Sequence, residues 1–414
     1  MAECPGVLHL AAMADGGLAR LRVPGGSLSA TQARVIAEAA ARMGSGVIDL
    51  TNRANLQIRG LSLDAGPRLA AALFEIGLGA DGPADRRRNI LLDPFSGLDP
   101  AEVRDCRPLA QALDRALTQA GWIGALSPKF SFAIDGGSEA GIGAIASDVS
   151  ATAVPEGVEV VFGTGAFAVT AAPEAAVSAL LTIADSTARL GPDARARDLQ
   201  VTATVDALCA LPGVRTAPIA QRRSMSARYG AIPTRIADEA AVAVPVPVGR
   251  LDAPMLIWLA DQAEAEGDGT LRLAPWSAVV LPGVARDRAA ALLAGSEAVG
   301  FTPVAVAERL SVVACAGAPA CERAREPAKA LGAALLALAA EPGRLPASLA
   351  QVHLSACAKG CAGSSASDLL LLGASGRSGW SVHRGASPRA AQAACARLDD
   401  PNPAEILRLL AARG

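Results

Sequence analysis

The chain carries its own repeat. An offset of 223 residues lays positions 28–61 on 251–284 without a gap, with identity at Leu28, Ala30, Ala37, Ala40, Gly44, Gly46, Leu50 and Gly60. Each copy has the same local order: a residue suited to cap a helix (Ser29 or Asp252), a helical run, a Gly-x-Gly stop, then strand-like sequence. A duplication of this kind requires the fold to contain one α+β unit twice, and 414 residues are too many for one ordinary core. Several packed units, two of them related, are expected.

In the first copy Val35, Ile36, Ala39, Ala40 and Met43 recur at helical spacing and predict one apolar face that packs on a sheet. Residues 49–60, DLTNRANLQIRG, read as one strand. Period-two geometry sends Leu50, Ala54, Leu56 and Ile58 to one side and Thr51, Arg53, Asn55, Gln57 and Arg59 to the other. Such a polar face suits a solvated outer strand as well as a ligand site. The second copy separates the two readings, because its equivalents are Ala274, Trp276, Ala278, Val280 and Pro282. A face that is merely wet has no reason to lose every polar residue in its duplicate. The first copy is therefore expected to face a polar ligand and the second to be buried.

The formal net charge of −2 argues against a general affinity for nucleic acid or for anionic membrane surfaces, so a polyanionic ligand has to meet a local cationic pocket. The longest uninterrupted apolar stretch, 330–340, has 11 residues, short of the ~20 that span a bilayer. The N-terminus has no Lys or Arg before its short apolar patch, unlike a secretory signal. A cytoplasmic protein with no membrane partner is expected. Gly163-Thr-Gly165 lacks the third glycine and the following helix of a dinucleotide fingerprint, so no nicotinamide or flavin site is expected.

In a reducing compartment eight cysteines need an explanation other than disulfides. Cys4, Cys106, Cys209 and Cys395 stand alone and read as incidental thiols. The other four form the pairs Cys315-x5-Cys321 and Cys357-x3-Cys361. A four-iron cubane needs one thiolate per iron, and two separate loops can surround it. The residues between these ligands are small, and Lys359 adds positive charge beside an anionic centre. Structural zinc is the competing reading, but it usually spaces paired ligands by two to four residues, which the x5 interval fits poorly. A 4Fe–4S cluster on Cys315, Cys321, Cys357 and Cys361 is the expected cofactor.

The cysteine array following an internal repeat, together with TNRANLQIRG at 51–60, resembles the sulfite and nitrite reductase superfamily. Within it, Cys4-Pro5-Gly6 and the run from His353 to Ala362 resemble the oxygen-dependent monooxygenases of aerobic cobalamin biosynthesis. Between the last two cysteines the reductases typically carry Pro-Asn, where this chain has Ala358-Lys359. The resemblance implies an α+β, sulfite/nitrite reductase-like fold. Two ferredoxin-like half repeats, 1–80 and 226–295, are related by a pseudo-twofold axis, and larger α+β domains follow at 81–225 (substrate pocket) and 296–414 (cluster). It carries the pocket cations onto Arg53, Arg88 and Lys129 and an amide onto Gln57, with Asn55 on the same strand face. Where the sulfite reductases place a second lysine this chain has Ser131, which tells against reduction of a small oxyanion.

The same cations suit a tetrapyrrole without reference to any family. A precorrin is ringed by acetate and propionate carboxylates, and guanidinium binds carboxylate bidentately. The run Arg86 to Arg88 also suits a solvated loop, so only Arg88 is assigned from it. Alternation in PKFSFAID puts Phe130, Phe132 and Ile134 in the core and Lys129, Ser131 and Asp135 opposite. The resemblance further implies hydroxylation of precorrin-3A at C-20 with γ-lactone closure, using O2 and electrons from an external donor or reductase. It also implies a mononuclear non-haem iron, for which His9, His353 and His383 offer no recognisable two-His-one-carboxylate set. Two rival classes stand beside it: a sirohaem-dependent sulfite or nitrite reductase, and a non-catalytic iron–sulfur carrier or metal-stabilised binding protein. No catalytic residue is assigned. His353, four residues before Cys357, reads as an iron ligand, a proton donor or an ordinary core residue.

Overall fold

A computed structural model describes residues 5–80, 82–165, 167–219, 224–374 and 378–412; Cys4 lies outside them. The duplication extends well beyond the identical positions. Strands Gly16–Leu21 and Ser27–Ser29, helix Ala30–Met43, strands Val47–Leu50 and Leu56–Leu61 and helix Gly66–Glu75 form the first half. They return 223 residues on as Glu239–Pro245, Arg250–Asp252, Ala253–Glu266, Thr270–Ala274, Ala278–Ala285 and Ala289–Ala298. Backbone conformation repeats with them, since positive φ recurs at Gly25 and Val248, Gly26 and Gly249, Ala54 and Ser277.

Both long helices start where the sequence says they should. Ser29 Oγ accepts from Gln32 N at 3.1 Å while Gln32 Oε1 accepts from Ser29 N at 2.9 Å, a reciprocal cap. Asp252 accepts from Met255 N at 2.8 Å. The two helices pack against each other, and the halves share one hydrophobic core.

Short strands are exchanged between the halves. Arg250–Asp252 pairs antiparallel with Val47–Leu50, and Ser27–Ser29 pairs with Thr270–Ala274. Two consecutive left-handed residues before each exchanged strand turn the chain out of its own sheet. At Gly26 a Cβ would lie 3.2 Å from Leu273 O of the other half. Residues 49–60 correct the single-strand expectation. Val47–Leu50 and Leu56–Leu61 form a hairpin whose turn closes through Thr51 N to Asn55 O at 2.9 Å and Ala54 N to Thr51 O at 3.0 Å. Arg53 therefore stands at a hairpin tip, not on a strand face.

Two larger units have matching sheets. In the central one Ile90–Leu92, Phe132–Asp135 and Val149–Val154 run parallel, followed by antiparallel Gly157–Phe162, Phe167–Ala171 and Val214–Ala217. In the last unit Leu310–Ala314, Ala350–Ser355 and Ser367–Gly373 run parallel, followed by antiparallel Trp380–Ala386 and Ala396–Leu398. Each has its own core. We propose 1–80, 81–225, 226–295 and 296–414 as the units, the first and third being halves that swap strands. Among the described residues no helix is long and apolar enough to cross a membrane.

Candidate functional site

Cys315 immediately follows the strand Leu310–Ala314, and Cys357 lies just past its parallel neighbour Ala350–Ser355. Adjacent parallel strands release their loops at the same end of a sheet, which is where ligands of open α/β sheets bind. This is why pairs 36 residues apart (357 − 321) come together. Cys315 N donates to Leu354 O at 3.1 Å and Ala356 N donates to Cys315 Sγ at 3.2 Å, tying the first loop to the second. Burial pushes the Cys315 thiol above its usual value, and Cys357 and Cys361 add to the rise. Burial likewise raises Cys361, with Lys359 pulling the other way and Cys357 and Cys321 reinforcing the rise. Cys315 and Cys361 thus lie within electrostatic reach of thiols on the other loop. Yet among the described residues no three His, Cys, Asp or Glu side chains converge as ligands of a single ion do. Four thiols from two loops suit a multi-iron cluster, and the Cys-x5-Cys spacing fits one zinc ion poorly.

These loops face a cavity of about 1330 Å³ bounded by both half repeats, the turn at Lys129 and the last unit. Pockets for drug-sized ligands hold roughly 300–1,000 Å³, so this one suits something larger. Of the residues expected at a ligand site, Arg53, Asn55, Gln57, Lys129 and the four cysteines all line it. Arg88 does not. Its guanidinium is held by Asp114 at 2.7 and 2.6 Å beneath the surface, so a buried bidentate ion pair replaces the expected ligand contact.

The individual environments differ. Arg53 donates to Ala146 O, while its Nη1 is buried with no hydrogen-bond partner. Burial lowers the Arg53 pKa, Asp148 opposes this, and Arg195 adds to it. Asn55 is fully engaged within the protein: Val23 N donates to its Oδ1 at 2.9 Å, and its Nδ2 donates to Asn89 Oδ1 at 3.0 Å. Its Nδ2 also donates to Arg53 O at 3.2 Å, so it shapes the wall and has no spare N–H for an anionic ligand. With its amide oxygen toward Arg20, Gln57 accepts from Arg20 Nε at 3.2 Å and Nη2 at 3.0 Å. Lys129 is exposed in a turn, because the strand begins only at Phe132. Ser131 and Asp135, expected beside it, are buried and bonded to neighbouring loops.

Arg20, Arg22 and Arg59 also line the cavity and were not singled out as site residues. Their signal was present as alternation in Ala19-Arg20-Leu21-Arg22 and as Arg59 in the polar set. Arg59 binds Asp15 at 2.9 and 3.0 Å and donates to Ala320 O at 3.1 Å, so it braces the loop at Cys321. Asp49, at the cavity wall, receives Arg250 at 2.8 and 2.9 Å and Lys329 at 3.1 Å. His353 lines the cavity as well, and burial lowers its pKa.

Duplicated ferredoxin-like halves, paired larger units and a cysteine-walled cavity define an iron–sulfur redox protein of reductase type. The sequence comparisons assign it more closely: the chain belongs to the nitrite and sulfite reductase family. Residues 12–76 and 235–299 match the nitrite/sulfite reductase ferredoxin-like half domain, and 84–188 match the nitrite and sulphite reductase 4Fe–4S domain. The matched segment 84–188 holds only Cys106, whose thiol burial pushes up to about 12, whereas the array sits in the last unit with the same sheet order. A precorrin-3B synthase of Sinorhizobium sp is 34% identical over 90% of this chain and 80% of its own length. A ferredoxin–nitrite reductase of Synechococcus elongatus is 30% identical over 86% and 76%. The solved NirA protein of Mycobacterium tuberculosis, 18% identical, superposes over 90% of this chain and 74% of its own with a TM-score of 0.73, a likeness of fold.

Proposed function

We propose that the chain acts as a precorrin-3B synthase, an oxidoreductase that hydroxylates precorrin-3A at C-20 and closes the γ-lactone, using O2 and electrons from an external donor in the cytoplasm. The observation that carries this reading is the large cavity in which cations of the first half repeat face the four thiols. The greater identity to a precorrin-3B synthase supports it.

In this reading Arg53, Arg20 and Lys129 bind acetate and propionate carboxylates from three sides of the cavity, and the unpaired Arg53 Nη1 gains its missing partner from the substrate. The depth of the site strengthens those contacts by excluding water. Cys315, Cys321, Cys357 and Cys361 hold a 4Fe–4S cluster, which supplies one-electron transfer when bound. A mononuclear non-haem iron belongs to the same proposal and has no assigned ligands. Aerobic incubation of the purified protein with precorrin-3A and a reducing system tests it, the expected product having gained one oxygen atom by mass. Unchanged substrate with a fully loaded cluster would reject it.

The second reading, sirohaem-dependent sulfite or nitrite reduction, draws on the Synechococcus relative and the NirA-like fold. Intense porphyrin bands in the purified protein would favour it. Against it, Ser131 is buried and its N–H donates to Asp148 Oδ2 at 3.0 Å, so no second cation stands at that position.

A further inference from the structure

One buried ring nitrogen is unused by the chemistry above. His353 pairs in register with Val313 in the parallel ladder of Ala350–Ser355 with Leu310–Ala314. Residues two apart on a strand share a face, so Val313 leads to Cys315, and His353 leads through Ser355 toward Cys357, on the side where both cysteine loops fold over. On that side the ring Cε1 stands 3.7 Å from where a Cβ on Gly363 would be, two residues beyond Cys361. The adjoining Nε2 is buried and has no hydrogen-bond partner. Leaving such a group unpaired costs about 1–3 kcal/mol, so a partner is to be expected from what occupies the cavity that His353 shares with the four cysteines.

We propose that His353 donates a hydrogen bond from Nε2 to a sulfur of the iron–sulfur cluster and thereby raises its reduction potential. The proposal rests on the reading that the four cysteines hold that cluster. Reduction places added negative charge on the sulfurs, and a donor aimed at them stabilises the reduced form more than the oxidised one. His353 is a positioning residue acting through the cluster, and it forms no bond with the substrate.

The test uses anaerobically purified full-length protein, its iron and acid-labile sulfide measured first. His353→Leu is expected to keep both and to favour the oxidised cluster about tenfold relative to wild type, about 59 mV lower for a one-electron couple. His353→Gln, which retains an N–H, is expected to return most of the shift. In the reduced wild type labelled with ¹⁵N-histidine, pulsed EPR is expected to show a weakly coupled ¹⁵N that vanishes in His353→Leu. A loaded His353→Leu with an unchanged potential overturns the proposal, as does a wild-type cluster with no ¹⁵N coupling. If His353→Leu fails to load, the labelled wild type alone decides. Wild-type protein without iron and sulfide would instead reject the cluster reading.

Discussion

Replacing Asp49 with Asn removes the one negative charge that Arg250, Lys329 and Arg59 surround, at 2.8, 3.1 and 3.9 Å. These partners come from different units: Arg250 from the exchanged strand, Lys329 from the helix Ala328–Ala339 that follows the first cysteine loop, Arg59 from the same hairpin. Removing one member of a buried ion pair costs about 3–5 kcal/mol because the other charges stay behind. The Asn oxygen still accepts one hydrogen bond and Arg250 is partly exposed, so the low end, about 3 kcal/mol, is expected. Burial alone pushes the Asp49 carboxyl up, but Arg250 and Lys329 more than offset it and hold it below its ordinary value of 3.8. A depressed carboxylate stabilises the fold above its unfolded value, and the contribution is lost as pH falls through the folded value. The gap between wild type and Asp49→Asn should therefore stay flat from about pH 8 to 5 and close only in stronger acid. Urea unfolding midpoints across pH, with iron per chain measured alongside, give the answer. Because Lys329 anchors the helix behind Cys315 and Cys321, iron retention should fall too. A variant within about 1 kcal/mol of wild type at neutral pH, with full iron, would refute the assignment of Asp49 as the joint between units.

Asp93 should behave in the opposite sense. Burial raises its carboxyl to about 7 from 3.8, so its stabilising contribution is complete below about 3.8 and lost as pH rises through about 7. Those values set an upper bound of about 4 kcal/mol, and Asp93→Asn should flatten the fall in unfolding midpoint between about pH 4 and 7; equal slopes would count against it. Arg53→Ala and Lys129→Ala should each weaken tetrapyrrole binding in fluorescence titrations while leaving the cluster spectrum intact, and unchanged affinity in both would remove them from the site. Arg88→Ala should instead cost about 3 kcal/mol in urea unfolding and leave affinity unaltered, since it breaks the pair with Asp114. Arg59→Ala, which frees Ala320 O beside Cys321, should lower iron per chain.

The duplication was legible because it is written in caps, glycines and periodicity, which are local properties: Ser29, Asp252 and the repeated Gly-x-Gly all act within a few residues of themselves. Strand exchange was not, since it depends on paired left-handed residues whose second member in one copy is glycine but whose first is Val248, which no composition rule flags. The hairpin at 51–55 escaped for a related reason. Ala54 adopts a positive φ without being Gly or Asn, so the turn carried no turn residue at its critical position and alternation ran straight through it. Alternation still sorted Gln57 and Arg59 onto the cavity side, because the strand Leu56–Leu61 keeps the same parity, and the hairpin tip carries Arg53 to the same cavity. Arg88, carried over by the resemblance, has no such local signal to tell it from them. Whether an arginine meets a ligand or an internal carboxylate depends on Asp114, 26 residues away on another element.

The same duplication explains why the two halves bring different chemistry to the site. Displaced by 223, the cavity residues Arg20, Arg22, Arg53 and Arg59 become Ala243, Pro245, Trp276 and Pro282, and Asp49 becomes Arg272. Pro245 and Trp276 line the same cavity with apolar surface; Trp276 stacks on Phe95 at 6.1 Å, and Arg228 lies over that ring at 5.1 Å. The central unit has the same parallel strands as the last, yet the loops after Ile90–Leu92 and Phe132–Asp135 carry carboxylates where the last unit carries thiols. Those carboxylates turn onto their own loops: Asp93 accepts from Phe95 N at 2.9 Å, Glu102 from Gly97 N at 2.6 Å, and Asp135 from Gly143 N at 2.7 Å. Arg272 completes the closure by donating to Pro94 O at 3.0 Å and Ser96 O at 2.7 Å. The central-unit loops are thus bound largely from within, though Asp93 Oδ2 and Arg104 Nε are buried there without hydrogen-bond partners, whereas Arg53 Nη1 and His353 Nε2 lack partners beside a cavity. Unpaired buried polar atoms point to a ligand where a cavity adjoins them, as one does at Arg53 and His353.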